Sequence, residues 1–177
     1  GILVIAKNNS THINLAEQFK DHSISRRYKA IVWGSPDSQT IEGYIERNKK
    51  NRKKMSLNNK GYGRYSKTII KLEKSYGIAS IVDCELHTGR THQIRLHLTS
   101  KGCPLVGDKI YGKSKINQFG KDKNAINKFM ILKNFERQAL HAYHLGFEHP
   151  ILKKRMNFDD GEFSLRNFAA YLLRTFH

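Results

Sequence analysis

The 177-residue sequence predicts an α+β domain: a mixed, mostly antiparallel sheet with helices on its faces. Three observations lead there. Strand-like stretches follow one another through hairpin-sized turns. Helical stretches are inserted singly, which disfavours a doubly wound arrangement. The length, with 38% apolar residues, suits one core and not two.

The elements follow in order. Gly1-Ile2-Leu3-Val4-Ile5-Ala6 is an apolar run of the kind found inside a buried strand. A chain that starts there without Met reads as a piece of a longer protein, and the run lacks the basic leader of a signal peptide. Ser10 or Thr11 then caps a helix with Ile13, Ala16 and Phe19 at helical spacing, ending near His22. Tyr28 to Gly34 is β-branched and aromatic; the turn chemistry of Ser35-Pro36-Asp37-Ser38 joins it to Thr40–Glu46, which predicts a hairpin. Residues 47–54 form a basic hairpin tip that runs into the loop Asn58-Asn59-Lys60-Gly61.

Tyr65–Leu72 and Ile78–His87 alternate as two further strands around Ser75-Tyr76-Gly77. Thr88-Gly89 breaks that pattern, and a short helix runs from Thr91 to Lys101 with Ile94 and Leu98 four apart, stopped by Gly102 and Pro104. Residues 107–119 are loop-like. Ala139, His141, Tyr143, Leu145 and Phe147 alternate as a strand, and Ser164 caps a closing amphipathic helix whose stripe runs from Leu165 to Phe176.

Thirty-two Lys and Arg against 15 Asp and Glu leave a net charge of +17, far more than solubility needs, so a polyanion is the expected partner. No apolar run approaches the roughly 18 residues of a membrane span. Two cysteines, Cys84 and Cys103, fit neither a disulfide scaffold nor a four-ligand zinc site, which points to a reducing compartment, the cytoplasm. The nine histidines include no HExxH pattern; His92 and His97 are five apart and His141 and His144 three apart, so no metal is expected. GxSxG, Walker A and dinucleotide fingerprints are absent. Asp83 and Glu85 share a strand face, where pairing with Lys or Arg explains them better than glycoside chemistry does.

The chemistry concentrates in Leu86–Leu98, where Gly, two Arg, two His, Thr and Gln crowd a strand-to-helix turn suited to phosphate or carboxylate. The string TGRTHQIRLHL, followed by Gly102-Cys103-Pro104-Leu105-Val106-Gly107-Asp108 and Tyr111-Gly112, resembles the signature of the RluA-type RNA pseudouridine synthases. The resemblance extends along the chain. Gly1–Lys7 is similar to the strand after the family's HRLDxxTSG loop, and Arg27-Tyr28-Lys29-Ala30 to its second motif. Gly43-Tyr44-Ile45 with Met55 fits the next stretch, and Arg137–Ala142 with Leu145, Phe147 and His149-Pro150 fits its C-terminal pattern. The tail Phe158–Phe163 lacks the family's proline-containing pattern and leaves the subgroup open.

The resemblance implies that the chain isomerises uridine in structured RNA without metal or cofactor. Large-subunit ribosomal RNA is the expected substrate and transfer RNA the alternative. It places the family's reactive aspartate just ahead of Gly1, so the 177 residues alone are expected to be inactive. Arg95 is implied as the cation that keeps that aspartate ionised, with Arg90 as the alternative, or else Arg95 is purely structural and neutralises carboxylates of the fold. Tyr28 is implied to lie against the target base and to share in proton transfer at the ring. Arg90, Thr91, His92, Gln93 and Ile94 are expected near the substrate, Ile94 as apolar wall or as plain helix packing. Arg47, Lys49, Lys50, Arg52, Lys53 and Lys54, with Arg64 and Lys67, are the expected backbone contacts, or else a solvated charged loop. A monomer is expected. The rival reading is a noncatalytic RNA-binding or ribosome-assembly protein on the same fold, distinguished by whether an aspartate precedes Gly1. A ribosomal protein would explain the charge but not the ordered motifs.

Overall fold

The computed structural model describes residues 1–112 and 123–160. Helix α1 (Asn9–Lys20) precedes strands β1 (Ser25–Trp33), β2 (Gln39–Arg47), β3 (Met55–Asn58), β4 (Arg64–Ser75) and β5 (Ala79–Leu86). Helices α2 (Gln93–Ser100) and α3 (Lys123–Lys133) follow, then β6 (Leu140–Glu148) and β7 (Arg155–Asp159). The strands form one sheet in the order β3-β2-β4-β5-β1-β6-β7. Every strand pair is antiparallel, so the α+β class holds while the sheet is not mixed among the described residues.

Period-two alternation on β1 builds both faces of the core. Ala30 and Val32 pack on one face with Ile70, Val82 and Cys84 beneath Ile94 and Leu98 of α2. Ile31 and Trp33 face the other way, into Ala79 and Val106 beneath Phe129 and Leu132 of α3. Helices therefore cover both faces, and each fully buried Ile, Leu or Val contributes about 1.5–3 kcal/mol. The Asp83 and Glu85 pairing expected from the sequence is present: Lys29 Nζ lies 2.7 Å from Asp83 Oδ2, and Arg27 Nη2 lies 3.3 Å from Glu85 Oε2.

Several local expectations are corrected. β1 and β2 do not form a hairpin, because β4 and β5 lie between them. β1 is apolar on both faces at residues 30–33, which suits a central strand, and it pairs with β5 and β6 instead. Gly1–Ala6 is not a buried strand. Ile2, Val4 and Ala6 pack on Leu15, Ile24, Leu145 and Phe147, whereas Leu3 and Ile5 stand 71% and 77% exposed. The cap of α1 is Asn8, whose Oδ1 accepts the Thr11 N–H at 2.9 Å, and its buried residue is Leu15 rather than Ile13 or Phe19. α3, β3 and β7 were not foreseen. The 47–54 tip does join a hairpin, β2 to β3, with Arg47 opposite Met55. The stripe from Leu165 to Phe176 lies outside the described residues.

Candidate active site

The turn between β5 and α2 is held by a buried polar chain. Gln93, only 3% exposed, accepts the Thr88 hydroxyl at 2.8 Å and the Arg90 N–H at 2.9 Å on its Oε1. Its Nε2 donates to the Lys67 carbonyl at 3.0 Å and to Thr68 Oγ1 at 2.9 Å. The amide is fully engaged, so Gln93 fixes the turn and presents no edge to a substrate. Ile94, 5% exposed, belongs to the core beneath α2. Both were expected near the substrate; Gln93 is buried within the turn and Ile94 within the core beneath α2.

The chain of donors continues inward through His97, which is fully buried. Ser66 donates to the Gly43 carbonyl at 2.8 Å, so at the 3.0 Å Ser66–His97 contact the proton must come from His97 Nε2. Thr68 in turn donates to His97 Nδ1 at 2.9 Å. Burial, with the nearby Lys101 charge, pushes the His97 pKa down to about 4. An unfolded histidine titrates near 6.5. Stability from this neutral ring is therefore complete above about pH 6.5 and falls by about 3 kcal/mol as pH drops toward 4. Urea unfolding followed across that range should show the loss, and His97→Gln should remove most of the slope.

Arg95 is gripped by Asp108. Its Nε donates to Oδ2 at 2.8 Å and its Nη2 to Oδ1 at 2.7 Å, with the two side chains 11% and 1% exposed. Asp108 Oδ1 also accepts the N–H groups of Ile110 and Tyr111 at 2.9 and 3.0 Å. Burial alone would raise the Asp108 pKa, but Arg95 and these two amides outweigh it and hold the carboxyl below the usual range. The Arg95 Nη1 group has no hydrogen bond among the described residues and is left to address a further acceptor.

Tyr111 ties this pair to its surroundings. Its ring lies 4.9 Å from the Arg95 guanidinium, and its hydroxyl lies 2.9 Å from His92 Nδ1 and accepts the Met55 N–H at 2.8 Å. His92 takes a left-handed conformation, φ 58°, at the N-cap of α2; burial and the Arg95 charge lower its pKa, which favours the neutral ring. The Met55 bond anchors the basic hairpin to the site.

Tyr28 packs half-buried against the core cluster that contains Ile94. Burial raises its pKa and Arg26 works against the rise. Arg90 donates its Nε–H to the Tyr65 carbonyl at 2.8 Å and is an electrostatic neighbour of Arg26, while Thr91 is exposed at the turn. Arg26 was missed by the sequence reading. The signal was available, because two residues before Tyr28 on a strand is the same face.

In the hairpin, Asn48 Oδ1 accepts the N–H groups of Lys50 and Asn51 at 3.0 and 2.8 Å, and Asn51 Oδ1 accepts that of Lys53 at 3.1 Å. These local bonds build the loop from asparagines. Arg47, Lys49, Lys50, Arg52 and Lys53 are exposed, as is Arg64, while Lys54 is half-buried. Lys67 differs from them: its Nζ lies 3.2 Å from Glu42, which offsets its charge. Tyr62 and Tyr65, 64% and 41% exposed, add aromatic surface beside the cations.

The sequence pattern of the RNA pseudouridylate synthases matches residues 1–100, which span Tyr28, the hairpin and the Gly89–Arg95 turn. The chain belongs to the RNA pseudouridylate synthase family. A ribosomal large subunit pseudouridine synthase D from Zymomonas mobilis is 44% identical over 160 residues, 90% of this chain and 48% of that protein. An uncharacterized RNA pseudouridine synthase from Chlorobaculum parvum is 38% identical over 164 residues, 89% of this chain and 50% of its own length. The chain thus spans about half the length of the curated relatives it matches. The structure of human RNA pseudouridylate synthase domain containing 4 superposes with a TM-score of 0.69 at 18% identity, over 94% of this chain and 69% of that one. At that identity the likeness to the human synthase is one of fold.

Proposed function

We propose that this chain supplies part of the catalytic domain, residues 1–177, of a pseudouridine synthase that isomerises uridine in large-subunit ribosomal RNA. In this isomerisation the N1–C1′ bond breaks and a C5–C1′ bond forms; the proton on C5 is lost and N1 gains one, so composition is unchanged. The supporting observation is one of placement. Ile2 donates its N–H to the Ala142 carbonyl at 2.8 Å, and Ala142 is the β6 partner of Tyr28. Ile2 thus sits beside β6, one strand from Tyr28, and the resemblance puts the family's aspartate just ahead of Gly1. Arg95 Nη1, oriented by Asp108, supplies positive charge that keeps such a carboxylate ionised in a dry site. Tyr28 offers a flat face to an unstacked base and a hydroxyl to its polar edge. The rRNA assignment is favoured by the name of the Zymomonas relative; transfer RNA remains the alternative substrate.

The deciding experiment uses the longer protein and C5-tritiated rRNA. Tritium release that disappears when an aspartate in the segment ahead of Gly1 is changed to Ala establishes the synthase; RNA binding without release, or a segment with no such aspartate, would establish the noncatalytic reading. The hairpin is tested alongside. Each phosphate neutralised adds about 0.7–0.9 to the slope of log K against log salt. Changing Lys49, Lys50, Lys53 and Lys54 together to Glu is expected to weaken RNA binding and flatten that slope by about two units or more. An unchanged slope would move the footprint elsewhere.

A further inference from the structure

Arg26 is a charged side chain at the site that the machinery above leaves unused. It lies on the face of β1 that carries Tyr28, with its guanidinium over Gly89, where any β-carbon would collide with it, and 5.5 Å from the Phe19 ring. Its Nε is buried and makes no hydrogen bond among the described residues. No carboxylate pairs with it among the described residues; the charged or titratable groups that influence it are Tyr28 and Arg90. An unmet donor on a charged group is costly, about 1–3 kcal/mol or more, so the arrangement is complete only with an anion.

The room for that anion is present. A cleft of about 510 Å³ opens where β1 begins and β5 ends, lined by Arg26, Arg27, His22, His87 and His144. Among the described residues Glu85 is the only carboxylate in its lining, and it is already shared between Arg27 at 3.3 Å and His87 at 3.4 Å. The space is larger than a single carboxylate side chain needs and suits a sugar-phosphate unit. A guanidinium fork matches phosphate in geometry as well as in charge.

We propose that this cleft is a phosphate subsite anchored by Arg26, which grips the RNA backbone next to the nucleotide whose base meets Tyr28, with Arg90 flanking it. Gly89 then has a structural reason, since its missing side chain is the seat of the guanidinium. The proposal rests on the reading of the protein as an RNA-modifying enzyme, but its test reads binding and needs no turnover.

The test uses the full-length protein and a fluorescein-labelled, uridine-bearing RNA hairpin, titrated over a series of salt concentrations, with turnover measured separately. Arg26→Gln is expected to weaken binding about 10-fold or more and to lower the salt slope by roughly one unit. Arg26→Lys should restore the slope while recovering only part of the affinity, because an ammonium keeps the charge without the fork. Gly89→Ala retains every charge but displaces the guanidinium, and should weaken binding in the same direction. Unchanged affinity and slope in Arg26→Gln would overturn the proposal. So would a loss of turnover at unchanged affinity and slope, which would assign Arg26 to a carboxylate of the protein. If the wild-type protein binds the hairpin but never converts uridine in rRNA, the synthase reading fails, while the binding data still decide the subsite.

Discussion

Tyr28→Phe in the longer protein is expected to slow pseudouridine formation by about 10²- to 10⁴-fold, the range for losing a positioned proton-transfer group, and to leave RNA affinity near that of the parent. The ring packs against the core cluster beneath α2, and Phe fills the same space, so the fold should be retained. What Phe removes is the hydroxyl. Burial raises the Tyr28 pKa above its ordinary value near 10, with Arg26 opposing the rise, so the hydroxyl keeps its proton throughout the neutral range. Any inflection of the rate between pH 6 and 8 should therefore survive in both proteins. Single-turnover measurements with saturating enzyme separate chemistry from binding. A Phe variant that reacts at the parent rate would reduce Tyr28 to a packing residue.

Asp108→Ala is expected to cost about 3–5 kcal/mol of folding stability, because it leaves the Arg95 charge buried without its partner. The Ile110 and Tyr111 amides lose their acceptor in the same step. Asp108→Asn preserves the shape and removes the charge, so it should cost less but still release the Arg95 orientation. The pH dependence follows from the direction of the shift. A carboxyl held below its unfolded value, near 3.9, contributes its full stability above that pH and loses it as pH falls through the folded value. Urea denaturation between pH 5 and 2 should show the parent losing stability that Asp108→Asn never had. A cost below about 1 kcal/mol for Asp108→Ala would mean that the pair behaves as an exposed ion pair.

The strands were legible where alternation is strict. Thr40–Glu46, Tyr65–Leu72, Ile78–His87 and residues 139–147 fall largely on strands, because successive side chains point to opposite faces, while Tyr28–Gly34, buried on both faces at 30–33, was legible from its β-branched and aromatic content. The short helix at 93–100 was legible from the four-residue spacing of Ile94 and Leu98 and its Gly102 stop. α1 was placed correctly but oriented wrongly, since three apolar residues at helical spacing say nothing about which residue the neighbouring strands will cover. Here that residue is Leu15, against Ile24, Leu145 and Phe147. β3 and β7 are four and five residues long, too short to carry a periodic signal.

The site divides along the same line. Tyr28, the Gly89–Arg95 turn and the 47–54 hairpin were all marked by residue type and order, because a guanidinium, a hydroxyl or a run of lysines announces its chemistry whatever its neighbours are. Who touches whom was not marked. Legible in the chain alone were a mostly antiparallel α+β sheet, the expectation of a polyanionic partner and the family signature, since alternation, charge and ordered motifs are properties of the chain taken alone. The packing of distant segments settled the rest: Gln93 is consumed by Thr88, Thr68 and Lys67, Arg95 is held by Asp108, and Arg26 lies over Gly89 near Tyr28 with no carboxylate partner among the described residues. Those outcomes depend on which groups far apart in sequence are buried together, and burial fixes which polar atoms must find partners and which are left to meet a ligand.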